Sequence, residues 1–135
     1  MKTIRLATKD DLEILSEKDT HIAYNRLKKS IEDGNVYILE ADEKWIGWLR
    51  YNLFWDNTPF MNMLYILEEF QNKGYGTALV KHWETHMKEL GYPEVMTSTL
   101  VHESAIHFYL KHGYQVIGGF NPNEEEYEVL LKKSF

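Results

Sequence analysis

The sequence contains no cysteine in its 135 residues, which excludes disulfides, thiolate metal ligands and cysteine nucleophiles. It has no apolar run near the ~20 residues of a membrane-spanning helix, so no membrane partner is expected. Positive charge is also scarce: 15 Lys and Arg stand against 21 Asp and Glu, a net charge of −6. An acidic surface repels phosphate backbones, so no nucleic-acid partner is expected. These absences favour a cytoplasmic protein.

The residues that are present have the balance of an ordinary globular domain. Hydrophobic residues make up 44% of the chain and charged residues 27%, and no repeat or linker interrupts the composition. The length suits one compact domain with its own core. We therefore expect residues 1–135 to form a single domain.

Hydrophobic periodicity and turn residues predict the order β-α-α-β-β-β-α-β-α-β-β. Strands are expected at residues 4–7, 36–41, 45–54, 60–67, 95–100, 114–118 and 126–133. Helices are expected after a capping box at Thr8 and Asp11, over residues 21–33, from Gly76 to about Leu90, and over residues 103–112. Hairpins in the middle and later strand–helix–strand crossovers predict an α/β fold with a mixed sheet (α+β), with helices on both faces.

The two middle strands are expected to differ in burial. Within residues 45–54, every second residue lies on one face, as in a half-buried strand with its other face exposed; that face carries Trp45, Gly47, Leu49, Tyr51 and Leu53. Residues 60–67 form a nearly continuous apolar run, as in a central strand covered on both faces.

The segment after residues 60–67 combines a short loop with a helix start. It reads Gln71-Asn72-Lys73-Gly74-Tyr75-Gly76, followed by Thr77. Glycines let an anion approach the main chain, and the first N–H groups of a helix lack partners within it. The segment therefore indicates an anion site, with a simple tight turn as the structural alternative. It lacks the lysine and hydroxyl of a P-loop and the third glycine of a dinucleotide fingerprint.

A second motif follows one long helix and one strand later. It reads Ser104-Ala105-Ile106-His107-Phe108-Tyr109-Leu110-Lys111-His112-Gly113-Tyr114. The two segments match the patterns Q/R-x-x-G-x-G/A and A-x-x-x-Y-x-x-x-G-[FY]. Together with the element order, they resemble the GNAT superfamily of N-acetyltransferases over nearly the whole chain, from Ile4 to Lys133.

The resemblance implies a GNAT-type fold and an enzyme that uses acetyl-CoA and releases CoA. The pyrophosphate would bind the amides of Gln71, Asn72, Lys73, Gly74, Tyr75, Gly76 and Thr77. The pantetheine arm would pair with the main chain of Leu64, Tyr65, Ile66 and Leu67, and further cofactor contacts would come from His102 and Ser104. Tyr109 falls where the family has the general acid that protonates the departing thiolate, whereas its helical spacing alone favours a core tyrosine.

The sequence departs from the family pattern at several positions. Gln71 replaces the commoner arginine, Asn72 a common glycine, and His102 an asparagine that often touches pantetheine. The strand before the loop has no carboxylate to act as general base. Asp56, Glu40 or a water held by Tyr65 or Asn62 remain the candidates.

The acceptor is expected to be a primary amine of a small molecule or peptide, including cationic amines. In the family, acceptors enter beside the middle strands and the loop between the first two helices. Asp19, His21, Trp55 and Asp56 would then line an aromatic, acidic pocket. His82 and His86 have helical chelating spacing but no evident third ligand, so no metal is expected.

Two other functions stay open. The fold could serve as a non-catalytic acyl-CoA sensor or interaction module, which the missing strand carboxylate favours. A nucleotide-binding α/β domain is the third possibility. Exposed strand edges also make a homodimer plausible.

Overall fold

A computed structural model describes residues 1–124 and 126–135 of the chain. Its strands are β1 (Lys2–Leu6), β2 (Val36–Ala41), β3 (Lys44–Phe54), β4 (Thr58–Ile66), β5 (Glu94–Leu100), β6 (Gln115–Phe120) and β7 (Glu128–Ser134). Its α-helices are α1 (Leu12–Lys18), α2 (Tyr24–Glu32), α3 (Tyr75–Glu89) and α4 (Ala105–Lys111). The element order is the one that the sequence predicts.

The strands form a seven-stranded sheet in the order β1-β2-β3-β4-β5-β7-β6 within the described residues. β2 pairs antiparallel with β1 and β3, and β7 pairs antiparallel with β5 and β6. β4 and β5 run parallel, joined by the crossover through α3. The mixed α/β fold is therefore confirmed.

Contacts divide the chain into two compact units, which we call the first unit (residues 1–52 and 63–83) and the second unit (residues 53–62 and 84–135). In the first unit, α1 and α2 pack on a cluster of buried apolar residues that includes Leu15, Leu27, Ile38 and Trp48. In the second unit, β5, β6 and β7 pair with one another, and α4 follows β5.

Local signals set the helix ends as expected. Thr8 and Asp11 form a reciprocal capping box over the short 3₁₀ turn Lys9–Asp11 that leads into α1. Gly34, Gly91 and Gly113 follow α2, α3 and α4 at φ of 76°, 96° and 92°, the left-handed conformation that glycine adopts without strain. Among the described residues, no helix is both long and apolar enough to cross a bilayer.

The middle strands reverse the expected burial. All six residues 46–51 of β3 are buried, so the expectation of one exposed face is wrong. β4 is central in the sheet order, but Asn62 and Tyr65 are exposed, so it is not covered on both faces. Arg50 partly explains why β3 is buried on both faces. This charged residue can be buried because Asp19 pairs with it at 2.8 Å.

Candidate functional site

The loop between β4 and α3 lies in the first unit and presents a helix N-terminus. A 3₁₀ turn, Glu68–Phe70, follows the strand, and Asn72 and Gly74 then take left-handed φ values of 63° and 87°. The amide of Ala78 donates to the Gly74 carbonyl at 3.1 Å, which closes the first turn of α3. The amides of Tyr75 and Gly76 therefore stand at the N-terminal end of the helix, where N–H groups have no carbonyl partner in the helix.

Two glycines occur in this loop for different reasons. Gly74 has a positive φ, so the backbone itself requires glycine there. Gly76 lies within the first turn of α3, where a Cβ would meet only the Ile66 side chain, at 3.9 Å. Glycine at such a helical position costs roughly 1 kcal/mol relative to alanine. Packing against the described residues therefore does not require glycine at position 76.

Charge at the loop suits the same ligand. The Lys73 ammonium lies 5.9 Å from the centre of the Phe70 ring, and Phe70 packs edge-on against Tyr75 at 6.3 Å. A cation held beside a helix N-terminus adds to the positive end of the helix dipole. The loop thus fits a pyrophosphate through Lys73 and its amides.

Gln71 contributes in a way that its sequence position does not reveal. Its side-chain Nε2 donates to the Ile66 carbonyl at 2.8 Å, and the Leu67 amide donates to the Ile46 carbonyl at 2.8 Å. Gln71 therefore fastens the loop to the end of β4 through a hydrogen bond. Residues 64–67 are the segment expected to pair with pantetheine. Within this segment, the two hydrogen bonds occupy the carbonyl of Ile66 and the amide of Leu67.

β3 and β4 approach each other closely at the end of β4. A Cβ on Gly47 would overlap the Tyr65 carbonyl oxygen and would lie 2.8 Å from Cδ1 of Ile66. Only glycine therefore fits at this point of β3. Beside the contact, the side chain of Tyr65 is 41% exposed.

Tyr109 lies in the second unit on α4 and is buried, with 7% of its surface exposed. Its hydroxyl hydrogen-bonds with the Thr97 hydroxyl, and Thr97 in turn donates to the Met61 carbonyl at 3.0 Å. Burial raises the pKa of Tyr109 to about 12, and the bond with Thr97 opposes that rise.

A buried polar cluster next to Tyr109 was not anticipated from the sequence. The Tyr109 ring contacts Tyr114 edge-on at 5.4 Å. The Tyr114 hydroxyl donates to the Glu84 carboxylate at 2.7 Å, and Lys133 donates to the same carboxylate at 2.9 Å. Burial is the main cause that raises the pKa of the Tyr114 phenol. The only sequence signal was a glutamate on the otherwise apolar stripe of α3.

The two further cofactor candidates, His102 and Ser104, flank the start of α4. His102 is exposed and contacts Glu126 at 2.9 Å. Ser104 immediately precedes α4, and its carbonyl accepts the His107 amide at 3.1 Å.

The four acceptor candidates fall into two pairs. In the first unit, Asp19 is buried and accepts the His21 amide at 3.3 Å, so these two residues are brought together. In the second unit, Trp55 and Asp56 form the turn between β3 and β4, with φ of 55° and 62°, and Trp55 is 83% exposed. Non-glycine residues in this conformation are strained by about 1 kcal/mol or more each.

The structure gives contacts for Glu40, a candidate general base, and for His82, one of the two histidines with chelating spacing. Glu40 pairs with Arg5 at 2.9 Å. His82 packs its ring edge-on against Tyr37 at 5.5 Å. Across residues 1–124 and 126–135, no group of three or more metal-ligating side chains occurs.

Comparisons with known proteins identify a family and a fold. The sequence model described as "Acetyltransferase (GNAT) family" matches residues 3–114. No curated protein matches the sequence. Among solved structures, the chain is similar to the PaiA N-acetyltransferase of Thermoplasma acidophilum in complex with coenzyme A, with 20% identity, a TM-score of 0.81, and coverage of 100% of this chain and 99% of that chain.

Two further structures share the fold. Arabidopsis thaliana Naa50 in complex with the bisubstrate analogue CoA-Ac-MVNAL has 16% identity and a TM-score of 0.82, with 99% of both chains covered. The ribosomal-protein-S18-alanine N-acetyltransferase of Escherichia coli has 14% identity and a TM-score of 0.82, covering 99% of this chain and 94% of that chain.

Proposed function

Because the chain belongs to the acetyltransferase (GNAT) family, whose members are acetyl-CoA-dependent enzymes, we propose that it acetylates a primary amine of a small molecule or peptide. The acetyl group moves directly from acetyl-CoA to the amine, and CoA is the product. The absence of cysteine excludes a thioester on a protein sulfur, in keeping with direct transfer. The observation that carries the proposal is Gly76, an otherwise unexplained glycine in the first turn of α3.

In this proposal the loop and the end of β4 hold the cofactor. The amides of residues 71–77 and the Lys73 ammonium bind the pyrophosphate. The main chain of residues 64–67 pairs with the pantetheine arm, and His102 and Ser104 make further contacts. Fixing the thioester and the amine side by side supplies the proximity on which direct transfer depends.

We assign the general acid to Tyr109. The amine nitrogen forms a bond to the acetyl carbon, the carbon–sulfur bond breaks, and the sulfur takes a proton while the amine loses one. With a pKa of about 12, the Tyr109 phenol keeps its proton at neutral pH and is ready to donate. A thiol has a pKa of roughly 8.5 in water. Burial raises the pKa of a thiol as well, which narrows the pKa difference between the phenol that donates the proton and the thiolate that accepts it.

The acceptor side is proposed from the remaining candidates. In the first unit, His21 after α1 is a proposed acceptor contact, and the buried Asp19 accepts its amide. In the second unit, Trp55 and Asp56 in the turn after β3 are proposed acceptor contacts. The exposed Trp55 ring would favour cationic acceptors through its π face, whereas the Asp19 charge is already paired with Arg50. The base is Asp56, Glu40 or a water held by Asn62 or Tyr65.

The proposal also includes the domain organisation, the cellular location and the oligomeric state of the protein. Residues 1–135 act as one acetyltransferase domain in the cytoplasm, which a cysteine-free sequence suits. A homodimer is supported by β6, which lies at the edge of the sheet with Val116, Ile117 and Phe120 about half exposed. Exposed apolar edge strands favour pairing with another chain.

The alternative is an acyl-CoA-binding sensor without turnover. It is supported by β4, whose sequence TPFMNMLYI contains no carboxylate. An enzyme and a sensor would both bind CoA, but only an enzyme would release its thiol.

The test measures free thiol from acetyl-CoA in the presence of spermidine, 2-phenylethylamine, glycinamide and short peptides. We expect amine-dependent thiol release and an acetylated amine in the mass spectrum. CoA binding without release for every amine would favour the sensor. Thermal stabilisation by ATP or NAD, with none by CoA, would leave only the nucleotide-binding alternative.

A further inference from the structure

Three aromatic rings form a row in the first unit, from Trp45 through Trp48 to Tyr65. The centroids of Trp45 and Trp48 are 5.4 Å apart with the planes 28° apart, and those of Trp48 and Tyr65 are 5.2 Å apart. Trp48 is 2% exposed, whereas Tyr65 is 41% exposed. The row therefore connects the buried ring of Trp48 to an accessible phenol at the end of β4.

The buried carboxylate of Asp19 fixes the middle ring of this row. Its Oδ2 accepts from Trp48 Nε1 at 3.2 Å and from Arg50 Nε at 2.8 Å. Its Oδ1 accepts from Arg50 Nη2 and from the His21 amide, each at 3.3 Å. A carboxylate with four donors from β3 and from the chain after α1 holds the indole in one orientation.

Tyr65 faces away from the proposed cofactor loop. Side chains alternate along a strand, and the neighbouring Ile66 reaches the positions where Cβ atoms on Gly47 and Gly76 would stand. Ile66 therefore faces the start of α3, and Tyr65 faces the side of the sheet on which Trp48 packs with α1 and α2. The amine and the cofactor need separate space, and the Tyr65 side of β4 offers the amine a face that the cofactor loop does not use.

We infer that Tyr65 is an acceptor-binding residue of the proposed acetyl transfer, and that Trp48 and Asp19 are positioning residues that act through it. The inference rests on the proposed function. The Tyr65 hydroxyl accepts a hydrogen bond from one N–H of the neutral amine. This bond turns the nitrogen lone pair toward the acetyl carbon.

The first variant is Tyr65→Phe, which keeps the ring on Trp48 and removes only the hydroxyl. With the fastest amine of the panel, we expect kcat/KM for the amine to fall about tenfold, the usual effect of one lost hydrogen bond. The KM for acetyl-CoA and the thermal midpoint should not change. Tyr127→Phe is the matched control, because Tyr127 is 44% exposed and lies outside the row.

The positioning role is tested with Trp48→Phe, Asp19→Asn and the double variant Asp19→Asn/Tyr65→Phe. Each single change should raise the KM for the amine with little effect on the KM for acetyl-CoA. If Asp19 acts through Tyr65, the double variant is no worse than Tyr65→Phe alone, whereas a purely structural role gives additive losses. If Asp19→Asn does not fold, Trp48→Phe combined with Tyr65→Phe provides the same comparison.

The outcomes separate the two levels of the argument. An active wild-type chain whose Tyr65→Phe variant keeps its kcat/KM for the amine overturns this inference and leaves the proposed function intact. Additive losses overturn the positioning roles of Trp48 and Asp19. A wild-type chain that acetylates no amine removes the proposed function and this inference with it.

Discussion

The main chain of Tyr65 lies against Gly47 so closely that the Tyr65 carbonyl oxygen occupies the place of a Cβ on Gly47. The contact joins β3 to the last residues of β4, immediately before the loop that opens α3. Any side chain at position 47 must therefore displace the strand that is proposed to hold the thioester. A Cβ on Gly47 has a position fixed by the backbone, and the Tyr65 oxygen belongs to the main chain, so no rotamer change can relieve the contact.

Gly47→Ala should destabilise the protein by about 1–3 kcal/mol, the usual cost of overpacking a filled site. It should also weaken CoA binding, because the end of β4 shifts. Urea unfolding and calorimetry measure the two effects. Gly118→Ala is the control, since a Cβ there meets nothing within 4 Å. Equal stability of the two variants would contradict the prediction.

Gly76→Ala should separate stability from cofactor binding. Alanine is favoured over glycine within a helix by roughly 0.5–1 kcal/mol, and the nearest atom to the new methyl is 3.9 Å away. We expect a higher thermal midpoint without ligand and a weaker affinity for CoA. Gly74→Ala, at φ +87°, should lower the midpoint instead. An unchanged CoA affinity in Gly76→Ala would argue against pyrophosphate at the start of α3.

Tyr109→Phe should lower kcat about 100-fold, at the lower end of the range for a lost general acid, while CoA still binds. Steady-state kinetics and calorimetry measure the two quantities. Burial raises the pKa of Tyr109 to about 12, so the phenol stays protonated through pH 10. Loss of its proton should therefore cause no alkaline fall of the wild-type kcat between pH 7 and 10. If Tyr109→Phe retains the full kcat, Tyr109 is only a core residue.

Asp11 should contribute stability that acid removes. Its carboxylate accepts from Arg5 at 2.8 and 3.0 Å and from the Thr8 amide at 2.7 Å. The hydrogen bonds from Arg5 are the main cause that lowers the Asp11 pKa below its ordinary value of 3.8. The contribution is therefore complete above about pH 5 and is lost as the pH falls through the lowered pKa of the folded state.

Asp11→Asn should therefore have a flatter dependence of the unfolding free energy on pH between about 4 and 2 than the wild type. Denaturant unfolding at several pH values measures this slope. Asp10→Asn, at an exposed carboxylate of the same turn, is the control. A wild-type slope in Asp11→Asn would contradict the assignment.

The sequence predicts those features that depend on neighbours along the chain. The Thr8–Asp11 capping box, the glycine stops and the strand-to-helix loop each follow from a few adjacent residues. The burial of β3 could not be predicted in this way, because Arg50 reads as an outward polar residue until Asp19, which is distant in sequence, pairs with it. The hydrogen bond from Gln71 to the Ile66 carbonyl was also hidden, because the family pattern places a phosphate ligand at that position.

The catalytic candidates show the same limit. Motif spacing singled out Tyr109, but its partner Thr97 lies on β5 and carries no motif. Glu84 is one residue on a long helix, and its role emerges only when Tyr114 and Lys133 reach it. Hydrogen bonds between side chains on different helices and strands can be identified only from the folded structure.

The stacked indoles of Trp45 and Trp48 also give the chain an optical signature. Electronic transitions of two rings that are 5.4 Å apart and inclined by 28° couple, which splits the indole band in circular dichroism. Any tilt of Trp48 would change that splitting. The protein thus carries a built-in spectroscopic gauge of the surface beside Tyr65, readable without dye or label.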